Sequence, residues 1–470
     1  MNSEIIGKMN DHFIIYKSFR DIRRICLYDN DMKMTDKNNL SFLPQKIINA
    51  DFFAYKDFFY MFYQYQRRNI VYCVAAKMDA NAKIVGEPKV LDTTAISFFA
   101  SNKIYTLIYS ENKKKIDVFK INSKNEDNYI LTNSLFDDNL NLLAKTITSI
   151  SMPDRNDFLT EFVVDDDGDL AFARASGTSQ NNSINKLDLI TKKSAESQVN
   201  FYDLNISKVY LDNIRIKADN ENRHYLITSF YSKNRRGNIE GLYCSLWNKD
   251  GAALVNANYT TFSEDLRNEA KSADAGIKSA FNDYFLENII MRKDGGYLIA
   301  AESAYSSLRG NTLSRWDYMY GSPFWTPSDY YFYSPYGYYY PWWNNSFINQ
   351  STRFFADNIT VLSFDSTSKM EWANVIHKSQ FDDNSDDLLG YTTLNTGSEI
   401  HFIFNQLERR LLLLTDQSIT PDGQVNRKPT FKDLDNSHQF MPRYAKQVGA
   451  RELIIPCQYR NYICFAKIDF

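Results

Sequence analysis

The sequence has no apolar run approaching the roughly 18 residues that a membrane-crossing helix needs, so it offers no spanning helix. The residues after Met1 enter patterned sequence directly, without the build of a signal peptide. Cysteine is scarce. The five residues, Cys26, Cys73, Cys244, Cys457 and Cys464, each sit inside an apolar strand-like run, which fits buried free thiols better than a disulfide frame. A two-residue turn at Arg460 and Asn461 would set Cys457 opposite Cys464, but at a hydrogen-bonded site where cross-strand bridging is awkward. Histidine is equally sparse. No two of His12, His224, His377, His401 and His438 stand at metal-ligand spacing, so no zinc site or histidine-based triad is indicated. Charge of one sign is lacking too: 54 Lys and Arg against 57 Asp and Glu give a net charge of −3. No basic stripe or charged tail stands out, and the clusters at residues 113–115 and 409–410 are short and lie within strand-like runs, which argues against a nucleic-acid partner. G-x-S-x-G, Walker and G-x-G-x-x-G motifs are all missing from strand-to-helix junctions.

Aromatic residues are present in excess, at 15% of the chain. They concentrate in residues 316–347, WDYMYGSPFWTPSDYYFYSPYGYYYPWWNNSF, half of which are aromatic. Pro323, Pro327, Pro335 and Pro341 break any regular element there, so the segment reads as a loop. Tyr and Trp combine stiff contact area with a polar tip, and interfaces and sugar sites favour them for that reason. The bland reading is a cap folded onto the protein itself, but sixteen aromatics exceed what one short loop buries in itself. The anchors for a partner are Trp316, Tyr318, Tyr320, Phe324, Trp325, Tyr330, Tyr331, Tyr333, Tyr336, Tyr339, Trp342 and Trp343.

The rest of the chain is repetitive. An apolar strand ending in Asp or Asn, a few turn residues and another apolar strand recur at Asp29, Asp79, Asn122, Asp188, Asn248, Asp365, Asp416 and Asp469. Asp and Asn suit such places because their side chains bond the backbone two residues on. A second phrase, strand–polar turn–strand, precedes each copy, with turns near residues 10–11, 56–57, 101–102, 165–169, 219–222, 294–296, 395–397 and 449–450. Each unit therefore reads as four antiparallel strands, a to d, at roughly fifty-residue spacing, the period of a β-propeller. The predicted fold is all-β: a single propeller over residues 1–470 with eight four-stranded blades, or seven if residues 4–9 are a borrowed strand. Two insertions complete it. Residues 263–282 read as a helix capped by Ser263, with Leu266, Ala270, Ala273, Ile277, Ala280 and Phe281 on its apolar face. Residues 305–352 carry the aromatic loop within the sixth blade.

The stretch ENIIMRKDGGYLIAAES, residues 287–303, resembles the "DGGY" blades of large bacterial propellers. The whole chain resembles uncharacterised propeller-like proteins of Bacteroidetes-type bacteria, most of them exported. That resemblance implies a periplasmic or surface location, with the cytoplasm as the alternative, and brings no catalytic motif. The eighth unit ends at Phe470 directly after a third strand. This leads to the expectation of an upstream segment that supplies the fourth and includes a signal sequence.

Antiparallel topology puts a–b and c–d turns at one end of a blade and b–c and d–a connections at the other. The long connections, residues 137–153, 177–183, 263–282, 305–352 and 378–387, all fall in the second class, so one face is elaborated and collects function. Glu302 and Arg309, beside the aromatic loop, are of the kind that propeller glycosidases and lyases use, as are many other pairs. Residues 165–169, DDDGD, read as an a–b turn, because Val163 occupies a position where a calcium loop needs an acid. For calcium the better loop is 381–387, with Asp382, Asp383, Asp386 and Asp387, set against the commoner reading of a solvated acidic loop. No cofactor is otherwise indicated. The expectation is a non-enzymatic binding or scaffold propeller of an envelope or surface assembly, docking a protein through the aromatic loop. A carbohydrate-binding or carbohydrate-active propeller and a self-assembling structural subunit are the alternatives.

Overall fold

Short runs of Tyr, Phe, Ile and Val fold as strands almost everywhere, because β-branched and aromatic side chains pack well on a pleated surface. The computed structural model describes residues 2–125, 127–177, 183–206, 208–272, 279–308, 311–312, 332–333, 352–383, 385–408, 411–428, 438–460 and 462–470. The fold is an eight-bladed β-propeller built from antiparallel sheets.

The first blade contains Asn2–Met9, His12–Phe19, Ile22–Tyr28 and Met34–Asn39. The second contains Asn49–Ala54, Phe58–Arg67, Ile70–Asp79 and Lys89–Ala95, and the third Thr106–Tyr109, Lys115–Asn125, Asn128–Asp137 and Leu142–Ser151. Asp157–Val164, Leu170–Ser176, Lys186–Lys192 and Asn200–Asp203 make the fourth; Tyr210–Asp219, His224–Ser232, Gly241–Asn248 and Ala253–Thr261 the fifth. The sixth has Tyr284–Met291, Tyr297–Leu308, Thr352–Phe364 and Met370–Ile376, and the seventh Tyr391–Asn395, Ile400–Glu408, Leu411–Ile419 and Val425–Arg427. In the eighth, His438–Phe440 and Lys446–Gly449 share one edge of Glu452–Tyr459, and Tyr462–Asp469 pairs with the other. Because Asn2–Met9 pairs along its own blade, the count is eight and not seven.

Two compact units hold these sheets: residues 1–104 and 385–470 include the first, second, seventh and eighth blades, and the others lie in the second unit. Within each unit the first strands of successive blades touch, as Asn2–Met9 touches both Asn49–Ala54 and Lys446–Gly449. The fourth strands are largely exposed, and second and third strands such as His224–Ser232 and Gly241–Asn248 are buried on both faces. This explains the solid apolar runs: a middle strand is covered by a neighbouring blade on each side. The core accordingly lies between blades. Phe230, Leu242 and Leu246 of the fifth meet Tyr284, Ile299 and Leu362 of the sixth, and Ile14, Ile25 and Leu27 of the first meet Phe59 and Met61 of the second. Each fully buried Leu, Ile or Phe contributes about 1.5–3 kcal/mol.

One turn recurs. Asp29 Oδ1 accepts from the N–H groups of Asp31 and Lys33, Asp79 from Asn81 and Lys83, Asp137 from Asn139 and Asn141, and Asp365 from Thr367 and Lys369. The residue three positions after each aspartate is left-handed, with φ of 56° at Met32 and Ala82 and 61° at Leu140 and Ser368. The carboxylate thereby replaces the glycine such a backbone usually demands.

Three expected turn positions are corrected: Asn122 lies within Lys115–Asn125, Asp188 within Lys186–Lys192 and Asp416 within Leu411–Ile419, whereas Asp469 ends the last strand as expected. The third blade turns instead at Asp137, so residues 137–153 are a short turn plus an outer strand rather than a long connection. The helix spans Glu264–Ala270, with the Ser263 side chain accepting from Leu266 N as predicted. Ala273 and Ile277 lie outside the described residues. Arg267 donates to the carbonyls of Ile239 and Glu240, and Tyr284 Oη to that of Ala270, which ties the helix to the fifth and sixth blades.

Candidate active site

In a propeller the innermost strand of each blade faces the central channel, so ionisable groups on first strands are the ones to weigh. Several of these strands are interrupted by a β-bulge: Thr160 to Val163, Asp212 to Arg215, Leu286 to Asn288 and Ile5 to Gly7. A bulge re-aims a side chain and frees backbone groups. In the fourth and fifth blades the bulged residues Glu161 and Asn213 adopt φ of 58° and 59° and reach the next blade. Glu161 Oε2 accepts from Ile216 N at 3.4 Å and Asn213 Oδ1 from Leu286 N at 2.5 Å. Arg215 closes the series, with Nη1 3.3 Å from Glu161 Oε1 and Nε donating to Leu286 O at 3.0 Å. Burial raises the Glu161 carboxyl and Arg215 opposes it. Its oxygens are engaged by the next blade, so Glu161 joins blades.

The corresponding strands of the other unit carry a different arrangement. Glu4 stands on the first strand of the first blade, Asp51 on that of the second and Lys446 on that of the eighth. Asn49 Nδ2 donates to Asp51 Oδ2 at 2.7 Å, and Lys446 Nζ to the carbonyl of Ile6 at 3.1 Å. The buried Asn49 Oδ1 has no bonding partner. Glu4 is exposed to water, yet protein closes around its carboxyl. Burial pushes that carboxyl up to about 7, with Lys446 pulling it down and Asp51 pushing it further up. An acid poised near neutrality can both give and take a proton at working pH. Asp117, in the third blade, is also raised to about 7 by burial, but it is fully buried and bonded to Asn133, so no substrate reaches it.

The elaborated end of the sixth blade holds a buried network. Lys378 Nζ lies 2.7 Å from Glu302 Oε1, with both side chains fully inaccessible, and also donates to Ala356 O and Gln380 Oε1 at 2.9 Å. Beside it, Tyr305 Oη donates to Asp357 Oδ2 at 2.8 Å and Ser303 Oγ donates to Asp283. Burial lowers the Lys378 ammonium, with Glu302 opposing. Glu302 is thus a buried partner of Lys378, and Arg309 lies outside the described residues.

No family model and no curated protein matches the chain. Solved structures do align with it. The polysaccharide lyase Uly1 aligns at 11% identity and a TM-score of 0.43, over 89% of each chain. A PL25 ulvan lyase bound to -[GlcA(1-4)Rha3S]- aligns at 8% and 0.38, over 89% of this chain and 91% of its own. Synechocystis apocarotenoid oxygenase aligns at 7% and 0.33, over 79% and 72%. The expectation of a non-enzymatic protein is corrected here, since the similar structures named by activity are enzymes, two of them lyases. At these scores the likeness transfers no activity to this chain.

Of the expected partner-binding residues, Trp316, Tyr318, Tyr320, Phe324, Trp325, Tyr330, Tyr331, Tyr336, Tyr339, Trp342 and Trp343 lie outside the described residues. The backbone of Tyr333 pairs with Asn122 in a short parallel bridge. Three acids of 381–387 are engaged by side chains of the protein itself, Asp383 with Arg353 at 2.8 Å, Asp386 with Arg443 at 2.9 Å and Asp387 with Tyr444 Oη at 3.2 Å, and Asp382 Oδ1 accepts from Asp383 N at 2.7 Å. Among the described residues the one metal-like grouping is Asp165, Asp167 and Asp169. The Lys249 ammonium already sits there, 2.5, 2.6 and 3.1 Å from the three carboxylates. Hydrogen bonds from Lys249 and then Arg223 hold Asp167 down to about 2. A protein cation fills the place that an ion would take. Sequence reasoning missed Glu4, Asp51 and Lys446. The available signal was a carboxylate among the apolar residues of a first strand, as in SEIIGKM and ADFFA.

Proposed function

We propose that this propeller is a carbohydrate-active enzyme, with Glu4 moving a proton at a sugar linkage while Asp51 and Lys446 set its charge. The observation that carries the reading is Glu4, a residue exposed to water whose carboxyl is raised by burial to about 7 beside a second carboxylate and an ammonium. Paired acids whose environments differ are the recurring means of glycosidic bond cleavage. The aromatic segment 316–347 supplies Trp and Tyr of the kind that stack on sugar rings.

The test is incubation of the full chain with a panel of neutral and acidic polysaccharides, reading new reducing ends together with the ultraviolet absorbance of unsaturated products. The first readout alone means hydrolysis, and both together mean elimination. Glu4→Gln should lower the rate about 10²–10⁴-fold, the usual contribution of a positioned acid or base. Full activity in Glu4→Gln, or no cleavage of any polysaccharide by the intact chain, overturns the proposal.

A further inference from the structure

Cys457 and Cys464 are register partners across the hairpin formed by Glu452–Tyr459 and Tyr462–Asp469. Both are free thiols, and their sulfurs stand 2.7 Å apart. Cys457 is buried, whereas Cys464 is partly open to water. The other three cysteines, Cys26, Cys73 and Cys244, are all buried. The hairpin therefore holds one accessible sulfur directly against a protected one, the arrangement of an attacking and a resolving thiol.

We propose that Cys457 and Cys464 form a redox site that a low-molecular-weight disulfide closes into a cross-strand bridge and the corresponding thiol reopens. In the first step Cys464 gives its proton to water and its sulfur attacks one sulfur of the small disulfide. That S–S bond breaks and one thiolate leaves with the electron pair. Cys457 then loses its proton and attacks the Cys464 sulfur, forming the bridge and expelling the second thiolate. Two protein thiols are oxidised and one disulfide is reduced to two thiols.

The electrostatics support this order. Cys464 is pulled down to about 7, first by the hydrogen bond from Cys457 and then by the charges of His438 and Lys17, while Cys457 is pushed up by the same contact and by burial. The thiolate is the nucleophile, so the exposed member of the pair is the reactive one. Reversal follows from the register. A bridge at a hydrogen-bonded pair departs from preferred disulfide geometry, and such bonds are the more readily reduced. When closed, it would pin the last strand of the eighth blade to its neighbour. The site is independent of Glu4 and of the proposed reaction.

The test uses the intact chain, exposed to oxidised and then to reduced glutathione, alkylated with N-ethylmaleimide and read by peptide mass. After oxidation, Cys457 and Cys464 are expected in one linked peptide, lighter by two hydrogens and unalkylated, with both alkylated again after reduction. Before oxidation, Cys464 should alkylate roughly three- to tenfold faster at pH 7 than an ordinary thiol. In Cys457→Ser, Cys464 should retain a stable glutathione adduct, because the resolving thiol is gone. Full alkylation of both residues after oxidation, or a lasting adduct on Cys464 of the unaltered chain, overturns the proposal. The wild-type measurement decides the matter even where the variant fails to fold.

Discussion

Two acids raised to about 7, Glu4 and Asp117, differ in the one respect that matters for chemistry, access to water. For Glu4 the linkage has a definite sign. Its folded value lies above the ordinary 4.5, so the folded state binds the proton more tightly, and the stability this brings is lost as pH rises from about 4.5 through about 7. Thermal melting compared at pH 5 and pH 8 should show a larger fall for the natural chain than for Glu4→Gln. Neighbours should move the same group predictably: Lys446→Met raises it further and Asp51→Asn lowers it. A second residue-scale prediction concerns the pair of Lys378 and Glu302. Lys378→Met leaves a carboxyl buried without its ammonium and should cost about 3–5 kcal/mol in a denaturant titration. The double variant Glu302→Leu with Lys378→Met should recover most of that loss. A double variant no more stable than the single one would show that the pair is not what matters there. At this scale the sequence was least legible. Glu4 and Lys446 lie at opposite ends of the chain, and no local pattern states that their strands are neighbours.

At the scale of elements, the turn chemistry was legible where a carboxylate served its own turn and illegible where it served another strand. Asp29, Asp79 and Asp365 bond the N–H two residues on, as their sequence context indicates. Asp188 and Asp416 carry the same local signature, yet Asp188 accepts from Arg174 at 2.8 Å and Asp416 faces His401 Nδ1 at 2.9 Å. A cross-strand partner outweighed the turn, and partners of that kind cannot be read from spacing. Asp79→Ala removes two backbone contacts from a turn that places Ala82 in the left-handed region and should cost about 1–2 kcal/mol in urea unfolding. Adding Ala82→Gly to that variant should recover part of the loss, because glycine adopts φ of 56° without penalty. The bulges of the first strands were invisible beforehand, since one extra residue leaves an apolar run looking continuous. The helix start at Ser263 was legible through its N-cap chemistry.

At the scale of the molecule, fold class and blade count followed from periodicity, because a propeller repeats the same burial pattern blade after blade. The acidic turn of the fourth blade shows why composition alone misleads about ions. Asp165, Asp167 and Asp169 converge, but Lys249 satisfies all three, so calcium or a chelator should leave the melting temperature unchanged. Lys249→Ala, which leaves three carboxylates facing one another, should lower it. The central claim is that the inner strand of the first blade carries an acid tuned for proton transfer. Its most direct test is the titration of the Glu4 carboxyl itself, followed by carbon NMR of side-chain-labelled protein and assigned by comparison with Glu4→Gln. A midpoint near 7 that moves upward in Lys446→Met is the predicted result. A midpoint near the ordinary 4.5, unmoved by the loss of Lys446, would contradict the account.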